Sequence, residues 1–374
     1  MLTVAVSGQT RRPVKPVPAV LPLAPLEVAW TIDLPTPPSG GAALDATATY
    51  IPLEGGQLVA LDRDSGATRW TIDAATRWPI VSNGRWLFIA TPSDVRAVTP
   101  SSGAPAWRTD TGEATLAPLL VADRLLVLTA SRGLVCLDVT DGAVRWTRMV
   151  SGESPGAGLV AGAGTGYLVF GHGVVQAFSL ADGHVVWETT LTGPLGPASV
   201  GRDRVFVGSA NNSLYALNSE TGQVAWTLVT GGDIVGTAVD GETVYVTSLD
   251  NLLRAVRRSN GNQRWRQPIT TRPAGPPVAM RGLVAQPGYR PALSTFSAVT
   301  GTPIGTYDAP SELQGAMLVD VRPVARRVGA VAVTREGQVV GLRSADLMLR
   351  EPAQTPLTVL PGRVLSREAA SLPR

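Results

Sequence analysis

The sequence predicts an all-β chain folded as an eight-bladed β-propeller of four-stranded antiparallel blades, closed by the N-terminal strand pairing onto the last blade. Three observations predict it. Trp recurs at 30, 70, 107, 146, 187, 226 and 265, with gaps of 37 to 41 residues. Each Trp from 70 onward stands four residues after a Gly that follows Ser, Asp, Thr or Asn: Gly66, Gly103, Gly142, Gly183, Gly222 and Gly261. Six residues before each of those glycines lies a small residue inside an apolar tetrad, the tetrads being 58–61, 95–98, 134–137, 175–178, 214–217 and 253–256. A fixed period of this length marks a repeat architecture, in which each unit buries its apolar face only against its neighbours.

One repeat shows what the unit is. Residues 198–200 and 205–209 flank a turn at 201–204, and residues 214–218 and 223–228 flank a second at 219–222. These short, β-branched and alternating runs between Gly, Asn and Asp clusters are the pattern of four antiparallel strands. Gly222 closes the last turn because the chain there needs a positive φ that a side chain resists. No stretch keeps a 3.6-residue apolar period over three turns, so the units are propeller blades and not a helical solenoid.

Counting outward from strand A to strand D gives the blade number. A seventh copy keeps its turn at Gly301 after the tetrad 293–296, but carries Gly305 where Trp is expected. An eighth tetrad, 339–342, has Leu347 in place of the turn glycine and no good strand D. Complete inner sets precede all eight tetrads, beginning with 42–44 and 50–53, while residues 28–34 around Trp30 form a strand D with no blade of its own. Placing 28–34 on the outside of the last blade pairs the chain ends and removes a sheet edge. Residues 1–27 then form a lead segment, 28–346 the propeller and 347–374 a trailing segment. Each indole at the start of strand D packs on the next blade, burying about 150–250 Å² or roughly 4–6 kcal/mol as an upper limit. Gly305 forgoes that contact, which makes the seventh blade the weakest joint.

Composition narrows the chemistry. Of 374 residues 44% are hydrophobic and 16% charged, with 40 Gly and 30 Pro, which suits a turn-rich ordered fold. The net charge is +3, Lys15 is the single Lys, and no basic block exceeds three residues, so no phosphate-binding patch is present and nucleic acid is not a partner. One Cys and two His, Cys136, His172 and His184, supply neither a disulfide framework nor a Cys/His zinc site. Cys136 holds the small position that Ala60, Ala97, Ala177, Ala216 and Ala255 hold elsewhere, so its role is packing. His184 and His172 fall in turns and serve as solvated turn residues. No apolar run is long enough for a transmembrane helix. Ala5-Val6-Ser7 has the small-x-small form of a signal-peptidase site, without a basic start or a long apolar core. It is either the end of an export signal, with a mature chain from Gly8, or an ordinary N-terminal tail. Prolines at 13, 16, 18, 22 and 25 make the segment after it an extended spacer.

The repeat at residues 213–226, SLYALNSETGQVAW, resembles the PQQ-like repeat β-propeller family, and the resemblance covers residues 28–346. It implies the fold more strongly than any activity. One branch, the quinoprotein dehydrogenases, holds pyrroloquinoline quinone and Ca²⁺ with a catalytic Asp and often a vicinal Cys-Cys disulfide. This chain has no Cys-Cys pair, and its nearest Ca²⁺ candidates, Asp250-Asn251 and Asn211-Asn212, stand at equivalent B-to-C turns where turn chemistry explains them. The other branch contains BamB, a periplasmic scaffold of the machine that inserts outer-membrane β-barrels. The chain is closer to that type, although it lacks the lipidated N-terminal Cys. The resemblance therefore implies a non-enzymatic, exported, monomeric scaffold with no cofactor, binding a protein partner in the cell envelope. The alternative is a quinone-dependent dehydrogenase or a small-ligand sensor using the central channel.

In such blades the D-to-A and B-to-C loops share one face, and the A-to-B and C-to-D turns share the other. The D-to-A loops vary and carry Arg77, Trp78, Glu113, Glu153, Asp233, Ile234, Arg272 and Glu312. Variable loops on a rigid scaffold are where binding concentrates, so these residues mark the candidate partner face. Trp78 is outside the repeat register. Beside Arg77 it is either a binding hot spot or packing beneath its loop.

Overall fold

The computed structural model describes residues 26–344, apart from 132, 151–157, 281, 290–292, 316–317 and 320–327. The described residues form thirty-two strands and no helix, in eight four-stranded antiparallel sheets. Residues 1–25 and 345–374, with the possible signal site and the trailing segment, lie outside the described residues.

Blade five gives the plan: Leu195–Val200, Arg204–Ser209, Ser213–Asn218 and Val224–Val229 pair in chain order, strand A to strand D. Strands B and C pack against neighbouring blades on both faces, so Val205, Phe206 and Val207 are all fully buried. That is why these runs are apolar without alternation. The outermost strand has one covered row, and its burial alternates accordingly.

Closure of the ring follows the predicted route. Leu26–Asp33 pairs antiparallel with Gln338–Ser344, from Leu26 opposite Ser344 to Asp33 opposite Gln338. It becomes the outer strand of a sheet whose inner members are Leu318–Val319 and Ala330–Val333. The strand begins two residues before the sequence boundary at 28 and ends one before that at 34.

The Trp–Gly period resolves into a joint between successive blades. Trp30, Trp70, Trp107, Trp146, Trp187, Trp226 and Trp265 each donate an indole N–H to a carbonyl of the next blade, at 2.9–3.1 Å. The acceptors are Arg63, Pro100, Val139, Leu180, Ser219, Arg258 and Ala298, each three residues before the turn glycine. Those glycines, Gly66, Gly103, Gly142, Gly183, Gly222, Gly261 and Gly301, have φ of +70° to +80°. A Cβ on any of them would meet an indole carbon of the preceding blade at 2.5–3.0 Å. Glycine thus satisfies two demands: a left-handed turn and a flat seat for the ring.

Within its own sheet each Trp faces the small residue of strand C, as Trp187 faces Ala177 and Trp146 faces Cys136. In blade seven Gly305 faces Thr295 instead, so this pair lacks the ring that the other blades carry. In the sequence period Leu347 stands where the other copies have the turn glycine, and it lies outside the described residues. On its described side this joint has no indole.

Candidate functional site

Hydrogen bonds knit the D-to-A loops to the B-to-C turns on one face. Ser39 N–H donates to Pro52 O at 2.9 Å and Glu54 N–H to Pro37 O at 2.8 Å, strapping the loop into blade one onto that blade's B-to-C turn. The next loop lies against it: Ser39 Oγ donates to Thr76 O at 3.1 Å. A Cβ on Gly40 would sit 2.7 Å from Arg77 O, so glycine permits this approach.

Between blades one and two these loops enclose a cavity of about 270 Å³. Leu53, Ala75, Ala90 and Pro92 give it apolar walls, and Glu54, Arg77, Trp78 and Glu113 are among its lining. The Trp78 indole N–H donates to Ala114 O at 3.0 Å, tying the loop after blade one to the loop after blade two. The Arg77 guanidinium lies 5.3 Å from the Trp78 ring centroid and 2.9 Å from Glu113 Oε1. Their side chains are 62% and 55% exposed, so this ion pair is solvated and contributes little to stability. It orients the guanidinium over the ring instead. With Glu54 the lining carries one more negative than positive charge.

The structure thus brings Arg77, Trp78 and Glu113 to one cavity. Trp78 is half-buried, with its indole N–H anchored on Ala114 O beneath the loop and the ring lining the cavity. The other candidates lie elsewhere on the face. Glu312 pairs with Arg335 at 3.3 Å. Arg272 is exposed, and its carbonyl accepts from Tyr289 N–H at 3.3 Å. Asp233 is half-buried, its carbonyl accepting from Leu249 N–H at 2.8 Å. Ile234 corrects the sequence reading: it opens strand Ile234–Asp240 and is 7% exposed. It packs where a Cβ on Gly208 would sit, so it faces no partner. Glu153 lies outside the described residues. Glu54 and the apolar walls sit in turns and strand ends that the repeat period treats as scaffold, so the sequence does not single them out.

The groups closest to cation ligands are held by their own chain. Asp250 accepts from Ser248 Oγ at 2.6 Å and Gly231 N–H at 3.0 Å, and Arg254 pairs with it. Burial pushes its carboxyl up, but hydrogen bonds from Arg254 and Ser248 outweigh that and hold it at about 2. Asn211 donates to Thr192 O at 2.8 Å and Tyr215 Oη at 2.9 Å. Asn212 and Asn251 take φ of +64° and +59°, which fits turn residues. This donor set does not suit the Ca²⁺ of a quinone site, and a chain with one Cys forms no vicinal disulfide over a quinone. His184 Nδ1 lies 2.6 Å from Asp182 on the opposite, C-to-D face, with both side chains 64% exposed. Burial raises the Cys136 thiol to about 11, keeping it protonated and inert.

Blade count, strand order and the Trp–Gly joint define a repeat β-propeller of the PQQ-like type. The sequence profile of the family described as "Outer membrane protein assembly factor BamB" matches four overlapping stretches, 26–157, 91–195, 171–274 and 250–350. The chain belongs to that family. No curated protein matches the sequence. Among solved structures, BamB from Moraxella catarrhalis superposes with a TM-score of 0.64 at 18% identity, covering 85% of this chain and 99% of that one. The computationally designed Ika8 protein gives 0.72 at 11%, covering 83% and 97%. The quinohemoprotein alcohol dehydrogenase ADHIIG from Pseudomonas putida HK5 gives 0.63 at 13%, covering 88% and 78%. At these identities the likeness shows the fold alone. Among the described residues no helix is long and apolar enough to cross a membrane.

Proposed function

We propose that the protein is an exported, monomeric, non-enzymatic scaffold that binds a protein partner of the cell envelope through its D-to-A loop face, in outer-membrane protein assembly. One observation carries the reading: Arg77, Trp78 and Glu113, from two different loops, converge on one apolar-walled cavity. Its volume is below the roughly 300–1,000 Å³ of small-molecule sites. It suits an apolar side chain projecting from a partner loop. An anchored Trp and an oriented Arg are the residue types that dominate interface energetics. The excess negative charge favours a basic residue next to the inserted side chain. Membership of a family described by outer-membrane assembly supports the cellular setting.

The test is recovery of envelope proteins on the purified chain. Wild type is expected to retain a partner that Trp78→Ala and Glu113→Arg each lose by tenfold or more, with unchanged circular dichroism. Retention by both variants would refute the assignment of the face. Dye-linked oxidation of alcohols or sugars on adding pyrroloquinoline quinone and Ca²⁺ would refute the non-enzymatic reading.

A further inference from the structure

The tripeptide Ser-Asn-Gly occurs twice, at 82–84 and at 259–261, and these are the two Asn-Gly steps of the chain. Both asparagines are exposed, and both glycines have left-handed backbone, with φ of +81° and +73°. At an Asn-Gly step the backbone nitrogen attacks the preceding side-chain amide readily, because glycine puts no side chain in the way. The sequence grants both steps the same reactivity, and the structure separates them.

Asn83 is in the A-to-B turn of blade two, between Val81–Ser82 and Leu87–Ala90. Its Oδ1 accepts the backbone N–H groups of Arg85 at 3.0 Å and Trp86 at 2.8 Å. Negative charge develops on that oxygen when the amide carbon is attacked, so both donors stabilise the attack. Gly84 N–H, the attacking group, donates to Ser82 Oγ at 3.0 Å, a hydroxyl that can relay the proton to solvent. Nothing lies within 4 Å of a Cβ built on Gly84, so the backbone has room to turn toward the side chain. Asn260 differs on each count. Among the described residues its Oδ1 accepts one N–H, from Asn262 at 3.0 Å. Gly261 N–H donates to Arg257 O at 2.9 Å, a carbonyl with no proton to pass on. A Cβ on Gly261 would lie 2.7 Å from the Trp226 ring, so the indole pins this turn in place.

We propose that Asn83–Gly84 is a site of spontaneous deamidation, yielding aspartate and isoaspartate at position 83, and that the blade joint protects Asn260–Gly261 from the same reaction. Gly84 N loses its proton through Ser82 Oγ and bonds to Asn83 Cγ. The bond from Cγ to the side-chain nitrogen breaks, and ammonia leaves. Water then opens the five-membered imide at either carbonyl. The net change is amide plus water to carboxylate plus ammonium, with nothing oxidised or reduced. The product carries a new negative charge next to Arg85, whose guanidinium lies 5.2 Å from the Trp86 ring centroid. Isoaspartate also adds a carbon to the main chain of the turn. That turn closes a two-residue inner strand, in which Val81 faces Phe88 and Ser82 faces Leu87, so the strand loosens. The site is on the A-to-B face and does not rest on the partner assigned to the opposite face.

The test uses the full chain, incubated at mildly alkaline pH both folded and in urea. Peptide mapping by mass spectrometry reads the conversion of each asparagine, and an isoaspartyl methyltransferase labels the isoaspartate. One donor to a developing oxyanion is worth about 10²–10³ in rate where water is excluded, and less in a solvated turn. In the folded chain Asn83 is therefore expected to convert at least about tenfold faster than Asn260. In urea, where the two share one tripeptide and no fold, the rates are expected to converge. Hydroxylamine, which attacks the imide, is expected to cut the folded chain after Asn83 and not after Asn260. Amide exchange at Leu87–Ala90 is expected to be faster in the isoaspartate form than in the fresh chain. Equal rates in the folded chain, faster conversion at Asn260, or a ratio that persists unchanged in urea would overturn the proposal. So would cleavage after Asn260, or unchanged exchange in the isoaspartate form.

Discussion

Trp187→Ala is expected to destabilise the ring by about 3–5 kcal/mol, the usual cost of truncating a packed indole. The indole is 9% exposed, stacks near Tyr167 at 5.8 Å between centroids, and donates to Ser219 O at 3.0 Å. Most of the loss is packing, because Tyr167 Oη also donates to Ser219 O at 3.2 Å and remains to satisfy it. The hydrogen-bond share is therefore near the low end, about 1 kcal/mol. Gly222→Ala attacks the same joint from the other side. Its new Cβ would lie 2.6 Å from the indole Cε3 and 2.6 Å from Thr189 Oγ1, at φ +72°. Left-handed backbone alone costs about 1–2 kcal/mol, and displacing the ring adds to it. The two changes share one contact, so a double-mutant cycle is expected to show coupling above about 1 kcal/mol: once the indole is gone, Gly222→Ala still costs the backbone term and the Thr189 contact but no longer the displacement of the ring. The assay is urea denaturation, supplemented by amide exchange at blades four and five should the ring open blade by blade. Strict additivity, or a Trp187→Ala cost below about 1 kcal/mol, would refute the reasoning that the repeat exists to build this joint.

Three further outcomes follow from the same geometry. Amide exchange is expected to be faster in Pro303–Tyr307, whose blade lacks the indole, than in Val185–Thr190, whose blade has it; equal protection would show that the Trp joint adds nothing. Asp250 is held at about 2 in the folded chain against about 3.9 when unfolded, so it stabilises above pH 4 and that contribution is lost as pH falls through 2. Asp250→Asn is expected to flatten the acid limb of a stability–pH curve by on the order of 2 kcal/mol, and to leave little trace in the pH 6–8 portion of the slope. Cys136→Ala reproduces the residue found at five equivalent positions and is expected to cost less than about 1.5 kcal/mol, while a thiol reagent is expected to modify Cys136 only in denaturant.

The ring was legible because its rules are local and repeated. Gly222 and Trp226 announce one C-to-D turn and one strand D, and seven copies fix blade count and closure. The partner of each indole was less legible. Positive φ explains Gly222 within its own turn, but the seat it offers belongs to Trp187, 35 residues earlier in the chain. The pairing of Gly305 with Thr295 is likewise a cross-strand relation that periodicity does not report. The candidate site was legible as a face and not as a cavity. Sequence order places Arg77 and Glu113 in loops of one face, while the cavity depends on how Gly40 lets one loop approach the next. Ile234 was misplaced because its strand begins at that residue and its side chain packs against Gly208 of the preceding blade, a contact between blades that sequence order does not report.

Site-specific photo-crosslinking in cells tests the functional account most directly. A benzophenone side chain at position 77, on the D-to-A face, is expected to capture a discrete envelope protein, whereas the same group at Ser101, exposed in a C-to-D turn, captures none. Capture at 101 with none at 77, or at neither position in cells that export the chain, would contradict the claim that the loop face between blades one and two is where this propeller holds its partner.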